Sequence, residues 1–180
     1  MKKIIALFVV SILLLTGCGT NTPKSKVEAY LNRYSSLSDD VKTDLETRVS
    51  SESLSIENQK IYKDVLTRQY ENLKYEIKDE SIDGDRATVK VKLTVYDLYK
   101  MDKDSINYMN NNANEFYDDA NQFSEELFNK YRINSMLTTN ETVNYEVEFY
   151  LNKVNGEWIV ETPDRTTLEK IHGMYNYEME

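Results

Sequence analysis

Two stretches in which apolar and polar residues strictly alternate constrain the fold of this chain more than any other feature. The first stretch covers 73–77 and 87–95, and the second covers 143–151. A period of two is typical of a β-strand with one buried face and one wet face. Asp83-Gly84 lies within the first stretch and Asn155-Gly156 follows the second, and both dipeptides favour hairpin turns. The sequence therefore predicts two β-hairpins that form an antiparallel four-stranded sheet.

The register of each hairpin follows from parity, because residues that oppose each other across a sheet point to the same face. In the first hairpin we predict a three-residue loop over 82–84, which pairs Ile77 with Val89. In the second hairpin, a two-residue turn would bury Trp158, whereas a three-residue loop would turn Trp158 outward beside Tyr150 as a candidate binding patch. Burial is favoured because large aromatic side chains mostly belong to the core.

Helical spacing of apolar residues predicts the remaining elements. Three helices are expected before the first strand, beginning after Thr22, after Ser38 and after the serine-rich segment 50–55. Between the hairpins, apolar residues repeat at intervals of three and four over 105–131, which predicts one long helix of about 27 residues. A last short helix lies within 162–173. The predicted fold class is α+β, with an antiparallel sheet covered by helices on one face.

The N-terminal segment has the pattern of an export signal. Lys2-Lys3 precedes the apolar run 4–15, which is too short to span a hydrocarbon core of about 30 Å, and the run ends in Leu15-Thr16-Gly17-Cys18. These four residues, with the chain's one cysteine, resemble the lipobox of bacterial lipoproteins. The resemblance implies cleavage between Gly17 and Cys18. It also implies a diacylglyceryl group on Cys18 that anchors the protein to the outer face of the cell membrane.

The predicted organisation has four parts. These are a signal peptide over 1–17, a lipidated N-terminus and linker over 18–22, one α+β domain over 23–173 and a tail over 174–180. After removal of the signal peptide, 20 basic and 31 acidic residues remain, a net charge of −11. This charge sets nucleic acid aside as a partner, because phosphate contacts need clustered Lys and Arg.

The first predicted helix is locally basic, with Lys24, Lys26 and Arg33 against Glu28. One interpretation is that this helix faces anionic headgroups while the acidic remainder of the domain points away from the membrane. The other is that these are ordinary surface residues without an orienting role. The sequence leaves both interpretations open.

No catalytic, cofactor-binding or metal-binding residue is predicted. His172 is the one histidine and ends the last helix, where the helix dipole favours a cation. It has no second histidine or nearby cysteine with which to form a zinc site or a triad. Acidic residues around 79–85, 102–104 and 118–119 lack the spacing of an EF-hand loop, and we interpret them as solvated. The protein is therefore not expected to be an enzyme.

The order of predicted elements resembles a known group of folds over residues 23–172. Three helices, a hairpin, a helix, a hairpin ending in Asn-Gly-Glu-Trp and a closing helix are similar to the cone-shaped α+β domains related to nuclear transport factor two and the cystatins. Such domains occur in many exported Gram-positive lipoproteins, and some members are isomerases with a carboxylate and a tyrosine inside the cone. Here Glu76, Glu146 and Glu148 fall on the wet face of the predicted sheet, so no catalytic residue is carried over.

Three functions are compatible with these features. The first is a non-catalytic binding or accessory lipoprotein at the cell surface that recognises a protein, peptide or envelope component. The second is a small-ligand receptor or an enzyme with a pocket between the sheet and the long helix. The third is self-association through residues 105–131. The first is the predicted function, because the sequence shows no set of polar groups that would converge on a pocket.

Overall fold

The computed structural model of the protein describes residues 21–179. Its elements are α1 (Pro23–Ser35), α2 (Asp39–Ser51), α3 (Ile56–Glu71), β1 (Lys74–Asp83), β2 (Arg86–Tyr96), α4 (Leu98–Asn111), α5 (Glu125–Thr138), β3 (Thr142–Val154), β4 (Glu157–Val160) and α6 (Arg165–His172). Short 3₁₀ turns cover Ala113–Phe116 and Tyr177–Met179. The predicted α+β class, with three helices before a four-stranded antiparallel sheet, is confirmed. The predicted signal peptide over 1–17 and the lipidation site Cys18 lie outside the described residues.

The helices begin where the sequence supplies capping groups. Thr22 and Ser25 form a reciprocal capping box at α1, in which each side-chain oxygen accepts a hydrogen bond from the other residue's backbone N–H. Ser55 accepts from a backbone N–H in the first turn of α3, and Asp164 does the same for α6. These caps confirm the predicted starts of the first, third and last helices.

The sheet is antiparallel and its strands lie in chain order, β1-β2-β3-β4. β2 pairs with β3 along its whole length, from Arg86 with Asn152 to Tyr96 with Thr142. α1 and α6 lie on one face of this pair, and α3 packs against both helices. The covered face is formed by Ala87, Val89, Val91, Leu93, Val95, Tyr145, Val147, Phe149 and Leu151, all of them buried. The opposite face carries polar and charged residues between them.

The first hairpin differs from its predicted register. Its turn has two residues, 84–85, rather than the predicted three-residue loop over 82–84. A β-bulge at Lys78 inserts one extra residue into β1, so Ile77 pairs with Val91, two residues beyond its predicted partner. The bulge reverses parity within the strand and returns the apolar residues of β1 to the covered face. The prediction was wrong because it assumed a ladder without interruption.

The second hairpin has the two-residue turn. Leu151 pairs with Val160, and both Asn155 and Gly156 have positive φ, as in a type I′ turn. Trp158 consequently points to the covered face and is 6% exposed. Its predicted burial is confirmed.

The long helix predicted over 105–131 is wrong. Two helices, α4 and α5, occupy this region and pack against each other, with α5 also packed on α3. The helical repeat of apolar residues continues through the break, but the backbone does not. The carboxylate of Asp118 accepts hydrogen bonds from the backbone N–H groups of Ala120 and Gln122, and Asn121 has a φ of +58°. Such local side-chain bonds compete with helix formation.

The tail predicted over 174–180 is also corrected, because its described side chains pack on the domain. Met174, Tyr175 and Tyr177 lie partly buried against the core. The hydroxyl of Tyr177 donates a hydrogen bond of 3.0 Å to the carboxylate of Asp97. Partial burial and this carboxylate raise the pKa of Tyr177 to about 12. The C-terminal segment is therefore part of the domain.

Candidate functional site

A cleft of about 600 Å³ lies between α1, α2, strand β4 and the segment 161–163 that leads to α6. Tyr30, Arg33 and Tyr34 of α1 form one wall, and Trp158 begins the opposite wall. The cleft exists because β4 is only four residues long. Beyond β4, the chain leaves the sheet and crosses to α6, so no strand continues along this side of α1.

A row of aromatic rings runs from the cleft into the core. Tyr30 and Tyr34 are neighbours because they lie four residues apart on α1, and their hydroxyl oxygens are 3.5 Å apart. The ring of Tyr30 lies 5.6 Å from that of Phe149 on the sheet, and the ring of Tyr34 meets that of Tyr70 edge-on at 5.2 Å. These tilted and edge-on contacts are favourable for aromatic rings. They fix the wall of the cleft on the hydrophobic core.

His172 ends this row as a neutral side chain. Its Nδ1 lies 2.9 Å from the hydroxyl of Tyr70. Burial, with the charge of Arg48 adding to it, lowers the pKa of His172 to about 3. The expectation of a cation at the end of the last helix is therefore wrong, because the cost of burying the charge exceeds the modest gain from the helix dipole.

The cations at the rim of the cleft already have partners. The guanidinium of Arg33 lies 4.6 Å from the centre of the Tyr30 ring and 2.8 Å from the carboxylate of Asp40. The ammonium of Lys26 lies 3.1 Å from the carboxylate of Glu157. Exposed ion pairs of this kind contribute little to stability. They can therefore exchange their partner for a ligand at little cost.

The titratable groups in the aromatic row do not suit acid–base chemistry near neutral pH. Such chemistry needs a group with a pKa close to the working pH. Burial raises the pKa of Tyr34 and of Tyr70 above the ordinary phenol value, and it lowers that of His172 to about 3. These groups keep fixed protonation states. Of these groups only Tyr34 lines the cleft, together with the ring of Tyr30, the exchangeable cations and the carboxylates of Asp44 and Glu161. Ring faces and charged groups of both signs suit recognition of a ligand.

The structure does not bring together Tyr150 and Trp158, the predicted binding patch. Tyr150 is 52% exposed on the open face of the sheet, where its hydroxyl donates to the carboxylate of Glu148 at 2.8 Å and its pKa is raised by that bond. Trp158 lies on the covered face and contributes to the cleft instead. The two-residue turn separates them, because neighbouring positions of opposite parity point to opposite faces.

The chain enters the described domain beside this cleft. The side-chain amide of Asn21 donates to the carbonyl oxygen of Gly156 at 2.9 Å, and the backbone N–H of Trp158 donates to the Asn21 side-chain oxygen at 3.0 Å. The backbone N–H of Lys24 donates to the carboxylate of Glu80 at 2.9 Å. Both hairpins thus hold the start of α1. Cys18 lies three residues before Asn21.

The acidic residues considered in the sequence show no metal-binding arrangement. Within residues 21–179, no group of three or more His, Cys, Asp or Glu side chains is placed to hold a metal ion. The carboxylate of Asp118 accepts a hydrogen bond from the backbone N–H of Ala120 in its own turn, and the carboxylate of Glu80 accepts one from the backbone N–H of Lys24 in α1. In the same part of the chain, no helix combines the length and the apolar character needed to cross a bilayer.

Two features of the site were missed in the sequence. The tyrosines of α1 are visible as an i, i+4 pair beside Arg33, but only the fold shows that they line a cleft as well as packing on the core. Asn21 gives no local signal, because its partners, Gly156 and Trp158, are more than 130 residues away.

No protein-family model matches the chain, and neither a curated protein nor a solved structure matches it. The resemblance to cone-shaped α+β domains and the lipobox resemblance stay predictions. The function has to be argued from the chain's own residues.

Proposed function

We propose that the protein is an exported lipoprotein, held by Cys18 on the outer face of the cell membrane, that binds a protein, peptide or envelope component without catalysing a reaction. The observation that carries the binding role is the cleft beside α1. Its wall is the pair Tyr30 and Tyr34, and its rim carries Arg33 and Lys26 in ion pairs that a ligand can replace.

The chemistry of the cleft supports recognition. Ring faces stack on flat apolar groups or on the apolar faces of sugars, and the guanidinium of Arg33 binds carboxylates or carbonyl oxygens. Burial raises the pKa of Tyr34, the one residue of the buried aromatic row that lines the cleft with Tyr30, and this favours a binding role over a catalytic one for that hydroxyl.

The position of the N-terminus supports the anchor. Three residues span at most about 11 Å, so a lipid on Cys18 would hold the domain directly at the membrane. A diacylglyceryl group supplies two acyl chains, which is enough for stable anchoring. The domain would stand on the membrane without a long stalk.

The second function considered requires a pocket between the sheet and a long helix over 105–131. Two shorter helices, α4 and α5, occupy that region instead. α4 and α5 pack on each other, α5 packs on α3, and α1 and α6 cover the sheet. We do not propose this function for that place.

The binding role can be tested by photocrosslinking in cells. A benzophenone amino acid at Ile159, an exposed residue that lines the cleft, is expected to yield a discrete crosslinked product. Arg33→Ala should reduce the product, because it removes the cation at the rim. Lys42→Ala is the matched control, since it removes an exposed cation of α2 that pairs with Asp39 and does not line the cleft, and the product should persist.

Absence of a product from position 159, or an equal yield with Arg33→Ala and Lys42→Ala, would contradict binding through the cleft. The anchor is tested in the same strain. Cys18→Ala is expected to prevent lipid attachment and cleavage after Gly17, whereas a chain that is still cleaved there and still carries the lipid would contradict the proposed anchor.

Self-association is a second candidate function, favoured by the surface of the α4–α5 region. Ile106, Tyr117, Phe123 and Leu127 are all exposed there, and clustered exposed apolar side chains are typical of interaction sites. Sedimentation of the non-lipidated Cys18→Ala protein should show a dimer that Phe123→Ser weakens. A monomer at micromolar concentration would end this candidate.

A further inference from the structure

The two hairpin turns lie side by side at one end of the sheet. Arg86, next to the first turn, pairs with Asn152, close to the second. The backbone N–H of Lys153 donates a hydrogen bond of 2.8 Å to the carbonyl oxygen of Asp85. We name residues 80–86 and 152–157 the hairpin end.

The N-terminus of the described chain is bonded to the hairpin end. Asn21 bonds to Gly156 of the second hairpin, and the backbone N–H of Lys24 bonds to Glu80 of the first. Lys26 adds an ion pair with Glu157. The point from which the chain runs back to Cys18 is therefore fixed relative to both turns.

The distance from this point to Cys18 is short. Residues 18–21 can separate Cys18 from Asn21 by at most about 11 Å when fully extended. The headgroup layer on each side of a bilayer is about 5–8 Å thick. A diacylglyceryl group on Cys18 would thus bring the hairpin end to the level of the headgroups.

The hairpin end has a surface suited to that position. Each hairpin exposes an aliphatic side chain beside its turn, Ile82 at 55% and Val154 at 48%. Its charges balance once the first turn of α1 is included. The four carboxylates Glu80, Asp83, Asp85 and Glu157 are matched in number by the four cations Lys24, Lys26, Arg86 and Lys153.

We propose that the hairpin end is a lipid-contacting surface, in which Ile82 and Val154 touch the headgroup region of the bilayer. The proposal rests on the proposed lipid anchor at Cys18. The short tether and the aliphatic side chains hold this surface against the bilayer. The charges of the hairpin end do not contribute, because they balance and so give no net attraction to anionic lipid. Lys24 and Lys26, the lysines considered for an electrostatic role, are paired with Glu28 and Glu157.

The test uses the full processed protein in vesicles that contain a nitroxide lipid labelled at the headgroup. Val154→Cys is the test variant, and Ile82→Cys is a second one at the other turn. Thr142→Cys is the matched control. Thr142 is exposed on the same strand β3, but it lies at the opposite end of the sheet, about 40 Å away at 3.3 Å per residue. Each introduced thiol is labelled with a maleimide fluorophore, which a lipidated Cys18 cannot take up.

The expected result is loss of fluorescence at positions 154 and 82 and unchanged fluorescence at 142. The loss should be equal in phosphatidylcholine vesicles and in vesicles that also contain phosphatidylglycerol. Equal quenching at all three positions, or quenching at 142 alone, overturns the inference while leaving the anchor intact. Quenching that requires phosphatidylglycerol overturns the tether-controlled contact.

Failure of the anchor itself is distinguishable in the same preparation. The protein without an introduced cysteine should take up no fluorophore and should remain with the vesicles. If it is labelled at Cys18 and stays in solution, the proposed function fails, and the lipid-contacting surface fails with it.

Discussion

The two ends of the sheet differ in how firmly polar groups hold them. At the end opposite the hairpin end, which we name the far end, Gln69 is 1% exposed and joins two elements. Its side-chain oxygen accepts from the N–H of Tyr96 at 3.0 Å, and its side-chain nitrogen donates to the carbonyl oxygen of Ile171 at 3.2 Å. These bonds fix β2 against α3 and α6 in a place that water does not reach.

Gly173 completes the far end. It ends α6 with a φ of +72°, and a Cβ placed on it would lie 2.3 Å from the carbonyl oxygen of Tyr96. The hairpin end also contains glycines with positive φ, but a Cβ on Gly84 or on Gly156 would meet no atom within 4 Å. Both ends need glycine for its backbone conformation, and only the far end also needs it for space.

The far end and the hairpin end therefore differ in how much they contribute to determining the fold. Gln69 and its buried polar contacts lie at the far end, whereas the hairpin end is held by bonds that are at least partly exposed and leaves Ile82 and Val154 uncovered. A surface that meets lipid or another molecule has to tolerate changes in its surroundings. The elements that determine the fold are therefore better placed away from it.

The largest expected effect separates the glycines of the two ends. Gly173→Ala should lower the free energy of unfolding by about 3–5 kcal/mol, because a strained left-handed backbone is combined with a clash against Tyr96. Gly84→Ala should cost about 1–2 kcal/mol, because only the backbone strain applies. Urea unfolding of the non-lipidated protein measures both values. Equal losses would remove the distinction between the two ends.

The next effect concerns the buried bridge. Gln69→Met keeps the volume of the side chain but leaves the N–H of Tyr96 and the carbonyl of Ile171 without a partner, and we expect a loss of about 2–3 kcal/mol. The same unfolding experiment measures it. A loss below 0.5 kcal/mol, a value typical of surface substitutions (about ±0.5 kcal/mol), would show that the bridge does not hold the far end.

A pH effect follows from His172. The unfolded chain binds a proton at this residue below about pH 6.5, whereas the folded protein does so only near pH 3. The contribution of the neutral His172 to the free energy of unfolding is therefore fully present above about pH 6.5. It should fall as the pH decreases, by up to about 1.4 kcal/mol per pH unit between these limits. His172→Gln should flatten the profile between pH 5 and 6.5. Asp164 does not interfere with this measurement, because its lowered pKa places its titration at more acidic pH. If His172→Gln left the slope of stability against pH unchanged between pH 5 and 6.5, the buried neutral imidazole would be contradicted.

The smallest effect is expected at the hairpin end. Asn21→Ala removes two hydrogen bonds that are at least partly exposed, and the loss should be about 1 kcal/mol or less. Asn110→Ala, at an exposed position of α4, is the control and should cause no loss. If Asn21→Ala destabilised the protein as much as Gln69→Met, the hairpin end would be as important for stability as the far end.

Local signals in the sequence predicted a large part of this fold. Thr22, the serine-rich segment 50–55 and the segment that begins at Thr162 marked helix starts, because a cap acts within three residues. The alternating strands were recognised because one face of the sheet is buried. The bulge at Lys78 was not predicted, since a single inserted residue leaves no composition signal and shifts only the register.

The break between α4 and α5 was not predicted either. It depends on bonds made by Asp118, which compete with a helical repeat that is otherwise continuous.

The candidate site was harder to predict than the fold. The row from Tyr30 to His172 joins residues 142 positions apart in the chain. Contacts of such sequence separation arise only from the packing of the whole domain.

The central claim is that a lipid on Cys18 holds this domain at the membrane, and the intact mass of the protein extracted from membranes tests it most directly. The account predicts a polypeptide that begins at Cys18, lacks residues 1–17 and carries the additional mass of a diacylglyceryl group. A chain that keeps residues 1–17, or one with a free Cys18 thiol, would contradict it.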